Sequence, residues 1–205
     1  WVFMLAAVAL TIISMLDYIA KSKDVLGFGK SDDKEKDDDN TVEFSVDEKC
    51  AALASNVVEA AIEKQITLAC AESLTGGMIC AALTSVPGSS AVIKGGINSY
   101  ATSVKQEILG VEGAVIEKDG AVSASCASAM AKGVSERLGA HLSVAVTGVA
   151  GPDKDERRNE VGLVYIAVLF DGNVNVEEHK FKGNRNEIRN QTCICALEAL
   201  ARALS

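Results

Sequence analysis

From residue 45 onward the chain alternates stretches of helical period with short, unbroken apolar runs, and nothing else in it restricts the fold as much. Residues 45–48 offer an N-cap serine with an acidic residue three positions on. Behind them, Ala51, Leu53, Ala54, Val57, Val58, Ala61 and Ile62 recur at helical spacing, predicting a helix to about Lys64. Residues 66–71 form a short apolar run of the kind a strand buried on both faces shows. That run feeds a Gly-Gly turn and a second helix over 76–84. Further strands are expected over 91–100, 142–149, 162–170 and 175–181, and further helices over 103–109, 123–138 and 185–204. This order predicts an α/β domain, a three-layer α/β/α sandwich on a mixed, mostly parallel sheet. The Asp171-Gly172 pair between the last two strands is a hairpin signal, which is why the sheet should be mixed.

Composition narrows the chemistry. Hydrophobic residues make up 48% of the chain but aromatics only 4%, so the core must be built from Ala, Val, Ile and Leu. A formal net charge of −8 argues against a surface made to neutralise nucleic-acid phosphates. The six cysteines include no CxxC pair, and four lie in apolar runs where Cys behaves as a small hydrophobe, so they read as reduced and structural. With two histidines, His141 and His179, a multi-histidine metal site is excluded and a histidine-based triad has few candidates. No cofactor and no metal is expected.

Two segments precede the domain. Residues 1–16 carry no charge and are followed by Lys21 and Lys23, so 1–21 reads as the end of a transmembrane helix that places the downstream chain on the cytoplasmic side, tethered to the inner face of the plasma membrane. A cleaved signal peptide is the rival reading, but no basic region precedes the run. Residues 14–18 are similar to the last helix of CDP-alcohol phosphatidyltransferases. Residues 22–44 are rich in Lys, Asp, Glu, Ser and Gly and bury too little to offset their ordering entropy, so they should form a flexible acidic linker.

In open α/β sheets ligands bind where the carboxyl ends of the strands meet their loops. Three segments fall there: 71–77 (Ala-Glu-Ser-Leu-Thr-Gly-Gly), 98–105 (Asn-Ser-Tyr-Ala-Thr-Ser-Val-Lys) and 146–153 (Val-Thr-Gly-Val-Ala-Gly-Pro-Asp). Taken alone, a Ser-x-Thr-Gly-Gly turn is more often a helix cap or an anion nest than a nucleophile. Tyr100 alone would be a rim aromatic, Lys105 a solvated helix residue, and the Thr-Gly-x-x-Gly-Pro segment a tight loop.

Together these segments resemble the CinA C-terminal domain family, which also occurs as the stand-alone nicotinamide mononucleotide deamidase PncC. The resemblance covers residues 45–205 and rests on the Ala71–Gly77 motif, 86–90, Tyr100 with Lys105, 108–111, 120–123 and 145–153. It implies a three-layer sandwich, and hydrolysis of nicotinamide mononucleotide to nicotinate mononucleotide and ammonia. By that likeness Ser73 is the nucleophile, Tyr100 and Lys105 activate it, and Thr147 and Arg185 stand around the substrate, with Thr75 and Gly148 in the same motifs.

The residues make a physical case beside the likeness. An amide resists water at neutral pH, so a covalent acyl step helps. Without a usable histidine the serine needs a neutral lysine, whose pKa must fall by desolvation or neighbouring charge. Tyr100 is expected to hold that lysine and relay its proton, and the Gly76 and Gly77 N–H groups to donate to the oxyanion. Arg185 is expected to meet the phosphate. Glu72 is read either as a carboxylate orienting Lys105 or the turn, or as a structural cap.

The chain departs from the family where a glycine-rich loop is replaced by 154–160 (Lys-Asp-Glu-Arg-Arg-Asn-Glu), which could border the substrate, and where Gly-Asp-Arg appears as Gly183-Asn184-Arg185. A non-catalytic nucleotide-sensing or partner-binding module is the alternative, and another nicotinamide-bearing nucleotide a third reading. Two apolar helices with few aromatics are compatible with a homodimer.

Overall fold

The computed structural model describes residues 48–205, so the expected membrane helix, the acidic linker and the Ser45 cap lie outside the described residues. Among the described residues no helix is long and apolar enough to cross a membrane. In order, the elements are α1 (Glu48–Lys64), β1 (Leu68–Glu72), α2 (Met78–Thr84), a 3-10 turn (Ser89–Ala91), β2 (Ile93–Asn98), α3 (Thr102–Glu107), α4 (Gly113–Asp119), α5 (Ala124–Leu138), β3 (Leu142–Gly148), β4 (Leu163–Phe170), β5 (Asn173–Lys180) and α6 (Arg185–Leu204).

The five strands form one sheet in the order β2-β1-β3-β4-β5. β1 pairs in parallel with β2 and with β3, whereas β3–β4 and β4–β5 are antiparallel. The expectation of a mostly parallel sheet therefore needs correction, because half of its ladders are antiparallel. The reason is local: after β3 the chain returns through a loop with no helix in it, and β4 turns into β5 over Asp171 and Gly172. Their φ angles are 48° and 76°, the left-handed pair a two-residue type I′ hairpin needs.

Strand periodicity sorts the core into two layers. On one face Leu68, Cys70, Leu142, Val144, Val146, Val164 and Ile166 pack against α1, α2 and α6. α1 contributes Ala54, Val57, Val58 and Ala61, one stripe at i, i+3, i+4, i+7. On the other face the strands present mostly alanine: Ala69, Ala71, Ala145 and Ala167 under Cys126, Ala127, Met130, Ala131 and Val134 of α5. Small residues let α5 lie close to the sheet, where the Ser143 hydroxyl donates to the Ala131 carbonyl at 2.7 Å. α5 also lies close to the segment behind it, because a Cβ at Gly133 would sit 1.8 Å from the Leu109 carbonyl oxygen.

Two elements go beyond the sequence reading. α4 is seven residues long, starts on glycine and buries no residue fully, so it has no apolar stripe to give it away. The 3-10 turn follows Gly88, whose φ is 85°.

Candidate functional site

β1 ends at Glu72, and Ser73 follows as the chain turns toward α2. Its N–H donates to the Val146 carbonyl of β3 at 3.1 Å, so the turn starts from a fixed point on the sheet. Two left-handed glycines, Gly76 at φ 62° and Gly77 at φ 99°, then reverse the chain into α2. The Glu72 side chain is buried beneath the turn. Its carboxylate accepts from the N–H groups of Gly77 at 2.9 Å, Ile79 at 3.2 Å and Cys80 at 2.8 Å. Of the two readings of Glu72, the geometry is that of a cap: a carboxylate on the otherwise orphaned donors of a helix N-terminus, where the helix dipole also favours it.

The same residue's backbone carbonyl receives the Ser99 N–H at 2.7 Å, joining the end of β1 to the loop after β2. That loop leads into α3, which carries Lys105. The Lys105 side chain is only 2% exposed. Its amine contacts the Ser73 Oγ at 3.2 Å, the Ser99 carbonyl at 2.5 Å and the Tyr100 carbonyl at 3.3 Å. None of these partners is charged, and burial pushes the amine below the ordinary lysine value, against a smaller opposing influence of the Cys126 sulfur. The Cys126 thiol is in turn pushed up to about 11, chiefly by burial. Ser73 and Lys105, 32 positions apart in the chain, thus meet in a largely dry corner.

The arrangement differs from expectation at several residues. Tyr100 holds Lys105 through its backbone carbonyl, while its phenol is exposed and accepts a hydrogen bond from Arg185 at 3.2 Å. Neither glycine N–H is free for an oxyanion: that of Gly76 donates to the Ser73 carbonyl and that of Gly77 to Glu72, because both close the turn. The Thr147 hydroxyl donates to the Ala121 carbonyl at 2.7 Å and so fastens the wall of the cleft. Thr75 is fully buried, and its hydroxyl has no partner among the described residues.

A cleft of about 170 Å³ opens on Ser73 and Lys105 and is walled by Leu74, Tyr100, Ala121, Val122, Thr147, Gly148 and Arg185 among others. Glu72, Thr75, Gly76 and Gly77 are not among the residues that line it. At its rim the Arg185 guanidinium donates to the Gly151 carbonyl at 2.6 Å as well as to Tyr100. Arg185 opens α6, where Asn184 and Glu187 make a reciprocal capping box. Asn184 therefore serves as a helix cap, a task asparagine performs as well as aspartate.

Residues 154–160 line no part of this cleft; the loop folds over α4 instead. There the Arg157 guanidinium bonds the carbonyls of Ile116, Glu117 and Lys118 at the end of the helix. Its bearing on the cleft is indirect, through the chain that leads from α4 to Ala121 and Val122. Among the described residues no group of three or more His, Cys, Asp or Glu is placed to hold a metal ion.

Sequence reasoning missed Arg189, whose guanidinium reaches the carbonyls of Leu74 and Thr75. The available signal was its spacing, one helical turn after Arg185 and hence on the same side of α6.

Fold and site together define a three-layer α/β domain with a buried serine–lysine pair at the carboxyl end of β1. The chain belongs to the CinA C-terminal domain family, whose model matches residues 50–204. It is 45% identical over 142 residues to a CinA-like protein of Citrifermentans bemidjiense, a match that covers 69% of this chain and 34% of the relative. With a CinA-like protein of Dictyoglomus thermophilum it shares 41% identity over 153 residues, 75% of this chain and 37% of the relative. The chain thus spans little more than a third of the length of these curated relatives. Among solved structures it is similar to the competence/damage inducible protein CihA from Agrobacterium tumefaciens, with 37% identity, a TM-score of 0.74, and coverage of 77% of this chain and 96% of that one. A CinA superfamily protein from Klebsiella pneumoniae gives the same TM-score at 29% identity and covers 76% of this chain and 97% of that one.

Proposed function

We propose that the domain is an amidase that hydrolyses nicotinamide mononucleotide to nicotinate mononucleotide and ammonia. The observation that carries the reading is the 3.2 Å contact between the Ser73 hydroxyl and a buried Lys105 amine that has no carboxylate beside it. A neutral amine has two N–H bonds and one lone pair. With the N–H bonds spent on the Ser99 and Tyr100 carbonyls, the lone pair is left for the serine proton.

In the proposed reaction Ser73 Oγ attacks the carboxamide carbon as its proton passes to Lys105 Nζ. The tetrahedral intermediate collapses, the C–N bond breaks, and Lys105 returns the proton to the departing nitrogen, which leaves as ammonia. Water then attacks the acyl ester with Lys105 again as base, releasing the carboxylate and restoring Ser73. The cleft's size supports a substrate that inserts only its reacting end, since pockets enclosing whole drug-sized ligands run about 300–1,000 Å³. The sugar phosphate would then lie across the rim, where Arg185 has guanidinium donors beyond the two it uses internally.

Incubating the full chain with nicotinamide mononucleotide, without added metal, should yield ammonia and a product with the mass of nicotinate mononucleotide. Ser73→Ala should reduce the release to background at an unchanged melting temperature. Ammonia formed at the wild-type rate by Ser73→Ala would remove the assignment of the nucleophile. Binding of the nucleotide by wild type with no turnover would favour the sensing module.

A further inference from the structure

With both glycine N–H groups closing the turn, the donor that meets the oxyanion has to come from elsewhere. Between Ser73 and Gly76 the backbone leaves two candidates, the N–H groups of Leu74 and Thr75, which have no partner among the described residues. In a trans peptide the C=O and N–H point opposite ways. The Ser73 carbonyl turns toward Gly76 N at 3.2 Å, so the Leu74 N–H faces away from the interior of the turn, and Leu74 lines the cleft. A donor on the residue after the nucleophile, at a strand-to-helix turn, is where an acyl-transfer site can best use one, because it reaches the atom bonded to the nucleophile.

What fixes the direction of that N–H directly is the bond from the Gly76 N–H to the Ser73 carbonyl of the same peptide, and Arg189 acts on it through Gly76. Its Nε donates to the Leu74 carbonyl at 3.0 Å and its Nη2 to the Thr75 carbonyl at 2.9 Å. One planar guanidinium therefore grips two successive carbonyls and sets the Leu74–Thr75 and Thr75–Gly76 peptide planes; the second carries the Gly76 N–H that holds the Ser73 carbonyl, and with it the plane of the Leu74 N–H. A Cβ on Gly76 would lie 3.7 Å from the same Nη2, so the fork packs directly against the turn. Arg189 is half-buried on α6 and does not line the cleft.

We infer that the Leu74 N–H is the oxyanion donor and that Arg189 is a positioning residue that aims it indirectly, by fixing the Thr75–Gly76 peptide whose N–H holds the Ser73 carbonyl. The inference rests on the reading of Ser73 as nucleophile, but not on the identity of the substrate.

An alkyl fluorophosphonate tests it without the natural substrate. Ser73 Oγ attacks phosphorus, the P–F bond breaks, fluoride leaves, the serine proton passes to Lys105, and the phosphoryl oxygen takes the place of the oxyanion. Labelling of Ser73 would be followed by mass spectrometry in wild type, Arg189→Met and Arg189→Lys. Arg189→Met should label at least tenfold more slowly, of the order expected for a misaligned oxyanion donor. The pH midpoint of labelling should not move, because Lys105 is untouched. Arg189→Lys can hold one carbonyl but cannot fork, and should fall between. In the amidase assay kcat should drop with KM nearly unchanged, a split that general loosening of the site would not give. Labelling of Arg189→Met at the wild-type rate would overturn the inference, as would a parallel shift of its pH midpoint. If Arg189→Met fails to fold, a wild-type labelling rate in Arg189→Lys would overturn it equally. A wild-type protein that takes no label at Ser73 would instead remove the nucleophile, and this inference with it.

Discussion

Gly133→Ala sets two effects of opposite sign against each other. Gly133 lies inside α5, where alanine is favoured over glycine by about 1 kcal/mol on intrinsic grounds. Against this, the added Cβ would lie 1.8 Å from the Leu109 carbonyl oxygen and 2.8 Å from its carbonyl carbon. The obstacle is backbone, so no rotamer change relieves it, and the helix and residues 108–111 must part by more than an ångström. Either movement opens contacts of Met130, Val134, Leu109 or Val111, all at most 2% exposed. Overpacking of this kind costs about 1–3 kcal/mol when side chains can adjust, and more when they cannot. After the helix gain, a net loss of roughly 2 kcal/mol is expected. For a domain of this size that lowers the melting temperature by roughly 4–8 °C. Because the Val111 N–H donates to the Lys105 carbonyl at 3.0 Å, the displacement also reaches the α3 segment, and the proposed amidase activity should fall. Thermal melting followed by circular dichroism reads the first effect. A variant that melts at or above the wild-type temperature would show that propensity outweighs the clash and refute the argument.

Two further outcomes are expected. Glu72→Gln keeps the shape of the cap but removes its charge and one of its two acceptor oxygens from three N–H donors; charge-assisted bonds of this kind are worth about 1.5–3 kcal/mol, so chemical denaturation should show a loss of roughly that size together with slower turnover, and an unchanged midpoint would mean the carboxylate does not hold α2. In the proposed reaction only the neutral Lys105 accepts the serine proton, so kcat/KM should rise with pH to a plateau whose midpoint lies below the ordinary lysine value of 10.5; a midpoint at or above it would contradict a base made available by burial.

β1, β3 and β4 were legible in the sequence because each is a nearly continuous apolar run, and the hairpin because Asp171-Gly172 suits a left-handed turn. The parallel bias was over-read: a run such as 163–170 looks alike whether its neighbour runs with it or against it, and direction is set by a connection that carries no helix. At the site, residue types and chain order marked Ser73 and Lys105. What could not be read was which atom of each neighbour does the work. Tyr100 contributes a carbonyl and Glu72 acts on the far side of the turn, while the glycines give up their N–H groups in making it. Backbone groups are the same at every position, so no side-chain pattern announces where they point. Arg189 escaped notice because its partners are two carbonyls of this kind.

The Ser99 link bears on how such a domain can change. Glu72 holds the Ser99 amide, Ser99 and Tyr100 hold the Lys105 amine, and that amine meets the hydroxyl one residue beyond Glu72, so the circuit closes on adjacent positions of a single strand end. The reactive distance is gauged against that strand rather than against the outer helices or residues 154–160. Surroundings that choose what enters can thus be rewritten while the spacing of the reacting atoms is inherited unchanged.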